Sequence, residues 1–331
     1  MNKIYYFIIL LAIILGSVTF LIYFNSEDEK PVDVLDETVV LRLGYRPGAL
    51  GDVTPVIMSE FNLTSPKLQI KLVPVPDPVT GMQKLSVGEI DAIAGIPLES
   101  IIAELKGNAF PFHAYALAMD TTGNRAVSIV GNREAGIEDI ADLANRPVAS
   151  LPTEQAQWLL RRILIAAGIA PEDVNVVIYN PATPLAGMEA GEHAAIFGLE
   201  PAVSRAAQEG HVILEKGPIS KFLYDGEPVV AAASLITDEF YSQHPKAYQE
   251  FRDAFEKARE IAENNRAEVR ELLTLRAYGE LSPDVAEQVD FPVLVIPSNA
   301  NREITERFVN DMIQDGIIEE YVDLSPLFQE R

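Results

Sequence analysis

A short unit of sequence occurs twice in this chain and constrains its fold more than any other feature. The segment GEIDAIAGIPLES begins at Gly88, and GEHAAIFGLEPAV begins 103 positions later at Gly191. Each copy has the pattern of a glycine that ends a helix, a buried strand, a glycine turn and a new helix. The repeat therefore predicts two similar α/β units in one chain.

Strand and helix patterns alternate around both copies. TVVLRLGY, LQIKLVPV and DVNVVIYN are typical of buried strands, and TEQAQWLLRRILIAAGI has the apolar period of an amphipathic helix. This alternation favours parallel sheets covered by helices. Two such runs, joined near DTTGN and again near EPVV, predict two lobes linked by two crossings of the chain.

The two copies also indicate where a ligand would bind. In open α/β sheets, ligands bind beyond the carboxyl ends of the strands, which is where GIPLE and GLEP are expected. If the lobes face each other, both loops line one cleft. The alternative is that the repeat reflects two similar sheets without a shared site.

Composition and charge exclude several classes of function. The net charge of −23 is unfavourable for nucleic-acid binding, which needs clustered Lys and Arg. The absence of cysteine excludes disulfides, thiol catalysis and Cys-ligated metals. The four histidines are scattered, without the spacing of a metal or catalytic motif. The sequence therefore predicts no enzyme, no cofactor and no metal site.

The N-terminus carries the pattern of a membrane anchor. Residues 4–24 contain no charged side chain, and a helix of that length spans roughly 30 Å, the thickness of the bilayer core. Lys3 precedes this stretch and acidic residues follow it, which favours an extracytoplasmic position for the rest of the chain. We predict an uncleaved signal anchor over 4–24 and a polar tether over 25–37. Cleavage as a signal peptide remains the alternative.

The chain as a whole resembles the solute-binding proteins of ABC importers. The resemblance is to the group of nitrate, alkanesulfonate, taurine and thiamine-pyrimidine binders (NMT1/THI5-like), and it covers about residues 38–331. The segments that carry it are LRLGYRPG, LSVGEIDAIAG, AVSIVGNREAGIEDIADLANRPVAS, LLRRILIAAGIAPEDVNVV and LAGMEAGEHAAIFGLEPAVSRA.

The resemblance implies a two-lobed α/β fold, the type II periplasmic-binding-protein fold with two crossovers. Residues 38–122 and 232–331 would form the first lobe, and residues 123–231 the second. The implied function is the binding of a small polar ligand for delivery to a permease and its ATPase. The alternative is a membrane-tethered ligand sensor that acts on a signalling partner.

The family places ligand contacts in the loops that follow strands. The matching positions in this chain are Tyr45, Arg46, Pro47, Gly95, Ile96, Pro97, Thr153, Glu154, Gln155, Glu200, Tyr224 and Asp225.

Several of these positions have a second interpretation. Arg46 either holds an anionic group or pairs with a surface carboxylate. Thr153 either binds an anion at a helix N-terminus or only caps that helix. Glu154 and Glu200 opposite Arg46 favour a zwitterion or a polar heterocycle over an inorganic anion. Trp158, an aromatic candidate, lies in an apolar helical stripe, which favours a place in the core.

Overall fold

The structure is a computed structural model that describes residues 37–46, 53–107, 110–181, 183–275 and 281–328. The predicted anchor and all but the last residue of the predicted tether lie outside these ranges. Among the helices within them, none is both long and apolar enough to cross a membrane.

Eleven strands are present in the described ranges. They are β1 (Val39–Tyr45), β2 (Leu68–Pro74), β3 (Ala92–Pro97), β4 (Phe112–Asp120), β5 (Val127–Gly131), β6 (Pro147–Ser150), β7 (Asn175–Ile178), β8 (Ala195–Leu199), β9 (Val212–Lys216), β10 (Val229–Thr237) and β11 (Val293–Val295).

The helices alternate with the strands and then dominate the C-terminal third. They are α1 (Val53–Glu60), α2 (Pro78–Ser86), α3 (Leu98–Gly107), α4 (Glu154–Ala166), α5 (Ala186–Glu189), α6 (Ala202–Gln208), α7 (Pro218–Leu223), α8 (Asp238–Gln243), α9 (Pro245–Asn264), α10 (Arg266–Leu273), α11 (Pro283–Gln288), α12 (Arg302–Gln314) and α13 (Ser325–Phe328).

The strands form two separate sheets, which confirms the predicted two-lobed fold. The first has the order β11-β4-β10-β3-β1-β2, and the second has the order β7-β6-β8-β5-β9. The chain crosses from the first sheet to the second after β4 and returns at β10. The exact lobe boundaries given above remain predictions.

The sheets are mixed, so the prediction of parallel sheets was only partly right. β1 runs parallel to β2 and β3, and β6 runs parallel to β7 and β8. β10 is antiparallel to β3 and β4, and β5 is antiparallel to β8 and β9. β11 is antiparallel to β4 as well. The strands that run against the rest of their sheets are therefore β5, β10 and β11, and the chain enters β5 and β10 directly after each crossing.

The repeated unit begins with the same backbone conformation in both lobes. Gly88 and Gly191 adopt left-handed φ values of 69° and 72°, which an L side chain disfavours. Each glycine leads into a buried strand, β3 or β8, which lies between one parallel and one antiparallel neighbour. The two copies therefore occupy equivalent places in the two sheets.

Candidate functional site

A cavity of about 200 Å³ lies between the lobes and takes its walls from both sheets. The first lobe contributes the ends of β3 and β4, and the second contributes the start of β5, the end of β8 and the start of α4. Most of the wall is apolar, including Met119, Leu159, Phe197, Leu199 and Ile219. The predicted strand-end edges therefore meet at one cavity, as expected if the repeat marks a shared cleft.

Six of the predicted ligand contacts line this cavity. They are Arg46, Gly95, Pro97, Thr153, Gln155 and Glu200. Whether they touch a ligand remains a prediction.

The other predicted contacts lie elsewhere. Glu154 is exposed, and Ile96 is fully buried within β3. Tyr45 is half-buried at the end of β1 and does not line the cavity, while Pro47 lies outside the described residues. Asp225 is exposed, with its carboxylate 3.8 Å from the Arg307 guanidinium.

Tyr224 lies in the core of the protein. Its hydroxyl donates a hydrogen bond to Asp311 Oδ2 at 3.0 Å, and its ring packs edge-on against Phe308. Trp158 also packs against Phe308, and its indole N–H donates to Asp315 Oδ2 at 2.7 Å. The interpretation of Trp158 as a core residue agrees with these contacts, and α12 supplies the packing partner of both rings.

Arg46 follows β1 and reaches across to strand β3. Its Nη2 donates a hydrogen bond to the Gly95 carbonyl at 2.6 Å. Gly95 has a φ of 64°, and its N–H donates to Ser234 Oγ at 3.1 Å. This bond orients the guanidinium at the cavity wall, where the group can also meet an anionic or carbonyl oxygen.

Thr153 is the N-cap of α4. Its Oγ1 accepts a hydrogen bond from the Ala156 N–H at 3.1 Å, and its backbone is extended, as capping requires. The capping interpretation of Thr153 therefore agrees with the structure. Because the residue also lines the cavity, the first turn of α4 forms part of the wall.

Glu99 and Gln155 join the two lobes directly beside the cavity. The Glu99 N–H donates to Gln155 Oε1 at 2.8 Å, and the Gln155 N–H donates to Glu99 Oε2 at 2.8 Å. Each residue lies in the first turn of its helix, so each side chain satisfies an N–H group that the other helix leaves unpaired. We call this reciprocal pair the latch. Gln155 was predicted as a site residue, whereas Glu99 was not.

Glu200 is almost fully buried and already has protein partners. Its carboxylate accepts hydrogen bonds from the backbone N–H and the hydroxyl of Ser204, at 3.0 and 2.8 Å. Arg125 Nε lies 3.4 Å away and supplies the opposite charge. Burial raises the pKa of Glu200, and these partners oppose that change. The side chain is therefore engaged within the protein, which weakens its predicted attraction for a cationic ligand.

Asp120 was missed by the sequence analysis. It ends β4 where the chain leaves the first sheet, lines the cavity and is only 3% exposed. Oδ1 accepts a hydrogen bond from the Ser220 N–H at 2.7 Å, but Oδ2 has no hydrogen-bond partner among the described residues. Burial raises the pKa of Asp120 to about 7. The sequence did contain a signal for this residue, because a carboxyl group directly follows an apolar strand at a predicted crossing of the chain.

Within the described ranges, no group of three or more His, Cys, Asp or Glu side chains is arranged to hold a metal ion. What the cavity combines is an apolar wall, one guanidinium and two buried carboxyl groups. That combination suits a small organic molecule with polar ends.

Residues 36–275 match the family model of the NMT1-like family. The chain belongs to this family. The resemblance identified from the sequence is thereby confirmed. Among characterised sequences, the chain is 23% identical over 289 residues to a putative aliphatic sulfonates-binding protein of Escherichia coli K12, and the match covers 86% of each chain.

Two solved structures have a fold similar to that of this chain. The alkanesulfonate-binding protein SsuA from Xanthomonas axonopodis, bound to MOPS, matches with a TM-score of 0.67 and 19% identity, covering 88% of this chain and 98% of that one. The periplasmic nitrate-binding protein NrtA from Synechocystis matches with a TM-score of 0.61 and 16% identity, covering 85% of this chain and 83% of that one. At such identities, these likenesses establish the two-lobed periplasmic-binding-protein fold.

Proposed function

We propose that this protein is the substrate-binding component of an ABC importer. It binds a small polar organic ligand, sulfonate-like, taurine-like or pyrimidine-like, between its lobes and delivers that ligand to a permease and its ATPase. It performs no catalysis. The observation that carries this proposal is the cavity of about 200 Å³ whose walls come from both lobes of an NMT1-like protein.

Two further features support binding by closure of the lobes. The latch holds the lobes together at the rim of the cavity, with both hydrogen bonds at 2.8 Å. The two chain crossings provide a hinge between the sheets, as in other proteins that close around a ligand. Relatives named for sulfonate and nitrate binding indicate the size and polarity of ligand to test first.

The proposed location is outside the cytoplasmic membrane, with residues 4–24 as a single-pass anchor. The uncharged run of this segment and the acidic residues after it support that arrangement. Carbonate extraction of membranes distinguishes the two N-terminal alternatives. An anchored chain stays in the pellet, whereas a chain released by cleavage appears in the soluble fraction.

Thermal shift of the purified protein against a ligand panel tests the proposed function. The panel holds alkanesulfonates, taurine, nitrate, pyrimidines, amino acids and polyamines. A ligand that binds only the native state raises the melting temperature with dose. A well-folded sample that responds to no compound would contradict the proposed ligand classes and favour a sensor or scaffold that recognises a protein partner.

The Arg46→Ala variant tests the predicted ligand contact. Loss of a charge-assisted hydrogen bond lowers affinity by about 10- to 100-fold. Lys71→Ala removes an exposed cation from β2 and serves as the matched control. Unchanged affinity in Arg46→Ala, measured by calorimetry with the panel's best ligand, would exclude the contact.

A further inference from the structure

Asp120 is a buried carboxyl group with half of its hydrogen-bonding capacity unused. Oδ1 is held by the Ser220 N–H at 2.7 Å, while Oδ2 has no partner in the described part of the chain. A buried acceptor without a donor is unfavourable, and a native structure that keeps one needs a reason. Asp120 forms part of the cavity wall, so an occupant that displaces the atoms now covering Oδ2 can provide the missing donor.

The surroundings of Asp120 do not neutralise its charge. The strands that flank β4, namely β10 and β11, contain no titratable side chain. On α7, which supplies the Ser220 N–H, Lys221 pairs instead with Glu215. The other charged groups on the cavity wall are Arg46, bonded to Gly95, and Glu200, bonded to Ser204.

We propose that Asp120 selects ligands that carry a hydrogen-bond donor, above all a protonated amine, and disfavours anions that lack one. The inference rests on the proposed binding function and narrows its ligand class. An ammonium group or a ring N–H would donate a hydrogen bond to Oδ2. The ammonium group would also supply a positive charge, which the surrounding side chains do not. The apolar wall would pack against the aliphatic or ring portion of the same molecule.

Simple oxyanions are therefore poor ligands for this cavity. Nitrate and unsubstituted alkanesulfonates offer only acceptor oxygens, which the Asp120 carboxylate repels. An aminosulfonate or an aminopyrimidine offers a donor for Asp120 and an acceptor for Arg46. This chain then differs in specificity from relatives whose names refer to aliphatic sulfonates and nitrate.

Matched ligand pairs that differ only in the amine test the proposal. The pairs are taurine with ethanesulfonate, β-alanine with propionate, and 4-aminopyrimidine with pyrimidine, each titrated by calorimetry into the full-length protein at pH 8. We expect the amine member of at least one pair to bind tenfold or more tightly than its partner. Tighter binding of the unsubstituted members would overturn the inference and leave the proposed function standing. No binding by any member would contradict the proposed ligand classes and the inference together.

The Asp120→Asn variant assigns the preference to this residue. The amide keeps an acceptor for Ser220 but removes the negative charge, so the amine preference should fall at least tenfold. Asp284→Asn, an exposed change on α11, is the control and should keep the preference. An unchanged preference in Asp120→Asn would exclude the residue as its source.

A pH series on the wild-type protein gives an answer even if the variant fails to fold. Burial raises the pKa of Asp120 to about 7, whereas an alkylammonium stays charged between pH 6 and pH 8. Affinity for the preferred amine should therefore rise by up to about tenfold over this range as the carboxyl group ionises. Affinity that stays constant or falls with rising pH would contradict the proposal.

Discussion

Removing Glu99 from the latch should release the lobes from their closed arrangement. The Glu99→Ala change deletes the carboxylate that accepts from the Gln155 N–H at 2.8 Å, and it leaves that N–H at the start of α4 without its partner. A hydrogen bond to a charged group contributes about 1.5–3 kcal/mol. A loss of about 2 kcal/mol lowers the closed-to-open ratio by about 30-fold. The neutral acceptor in Glu99→Gln keeps one hydrogen bond and should lower the ratio by only about fivefold.

Single-molecule energy transfer can measure this ratio. The chain contains no cysteine, so Val87→Cys and Ile178→Cys introduce two dyes at exposed positions, one in each lobe, without competing thiols. We expect the low-transfer, open population to grow in the order wild type, Glu99→Gln, Glu99→Ala. Ligand affinity should fall in the same order, because only the closed fraction retains the ligand.

Glu172→Ala provides the control, since it removes an exposed glutamate from the short helical turn that precedes β7. If Glu99→Ala had the energy-transfer distribution of the wild type and an affinity within twofold of it, the latch would not hold the lobes. The contacts of α12 with the second lobe, including Arg162 Nη1 to Asp311 Oδ2 at 3.0 Å, would then be the stronger connection.

Two further variants test the chain crossings. Gly217→Ala should lower the free energy of unfolding by about 3 kcal/mol or more, because its Cβ would lie 1.9 Å from the Thr121 carbonyl oxygen at a φ of 59°. The control is Gly210→Ala, where φ is also positive but no atom lies within 4 Å of the added Cβ. This change should lower the free energy of unfolding by only about 1 kcal/mol. Equal effects of the two substitutions in urea titrations would contradict the steric argument. Folding raises the pKa of Asp120 from 3.8 to about 7, so the folded state binds this proton more tightly than the unfolded chain does. Asp120→Asn should therefore remove a pH dependence of the stability. Wild-type stability relative to this variant should therefore fall as the pH rises from 4 to 8, by at most about 4 kcal/mol, and a constant difference would refute the assignment.

The repeated unit was predictable because its signals are local. A glycine with positive φ, an apolar strand and a following helix are each encoded within a few residues. The structure shows the same sequence of backbone states from Gly88 to β3 and from Gly191 to β8. The predicted glycine turns are absent, because Gly95 and Gly198 lie within β3 and β8, and only Gly95 is left-handed. Local pattern therefore indicated the fold but not the exact backbone of each loop.

The roles of individual side chains depended on partners far away in the sequence. Tyr224 was predicted in a loop, yet Asp311 and Phe308 from α12 surround it in the core. Glu200 was predicted to attract a cation, yet Arg125 lies against its carboxylate. Sequence spacing over a few residues cannot indicate such contacts. The edges of the cavity were therefore easier to predict than which of its side chains remain free to contact a ligand.

The two crossings and the cavity share residues, so we expect ligand binding and lobe movement to be coupled. Ser220 on the returning segment donates its N–H to Asp120 at 2.7 Å, and its hydroxyl lies 3.1 Å from Thr122 Oγ1 on the outgoing segment. The Gly123 N–H donates to the Lys216 carbonyl at 3.2 Å, which ties the same two segments again. In the proposed complex, a ligand donor on Asp120 Oδ2 would contact the crossing segments, while the latch joins the two lobes beside the cavity. A change at Asp120 should therefore alter both the ligand preference and the open population, whereas a change at Glu99 should alter the open population and leave the preference between paired ligands intact.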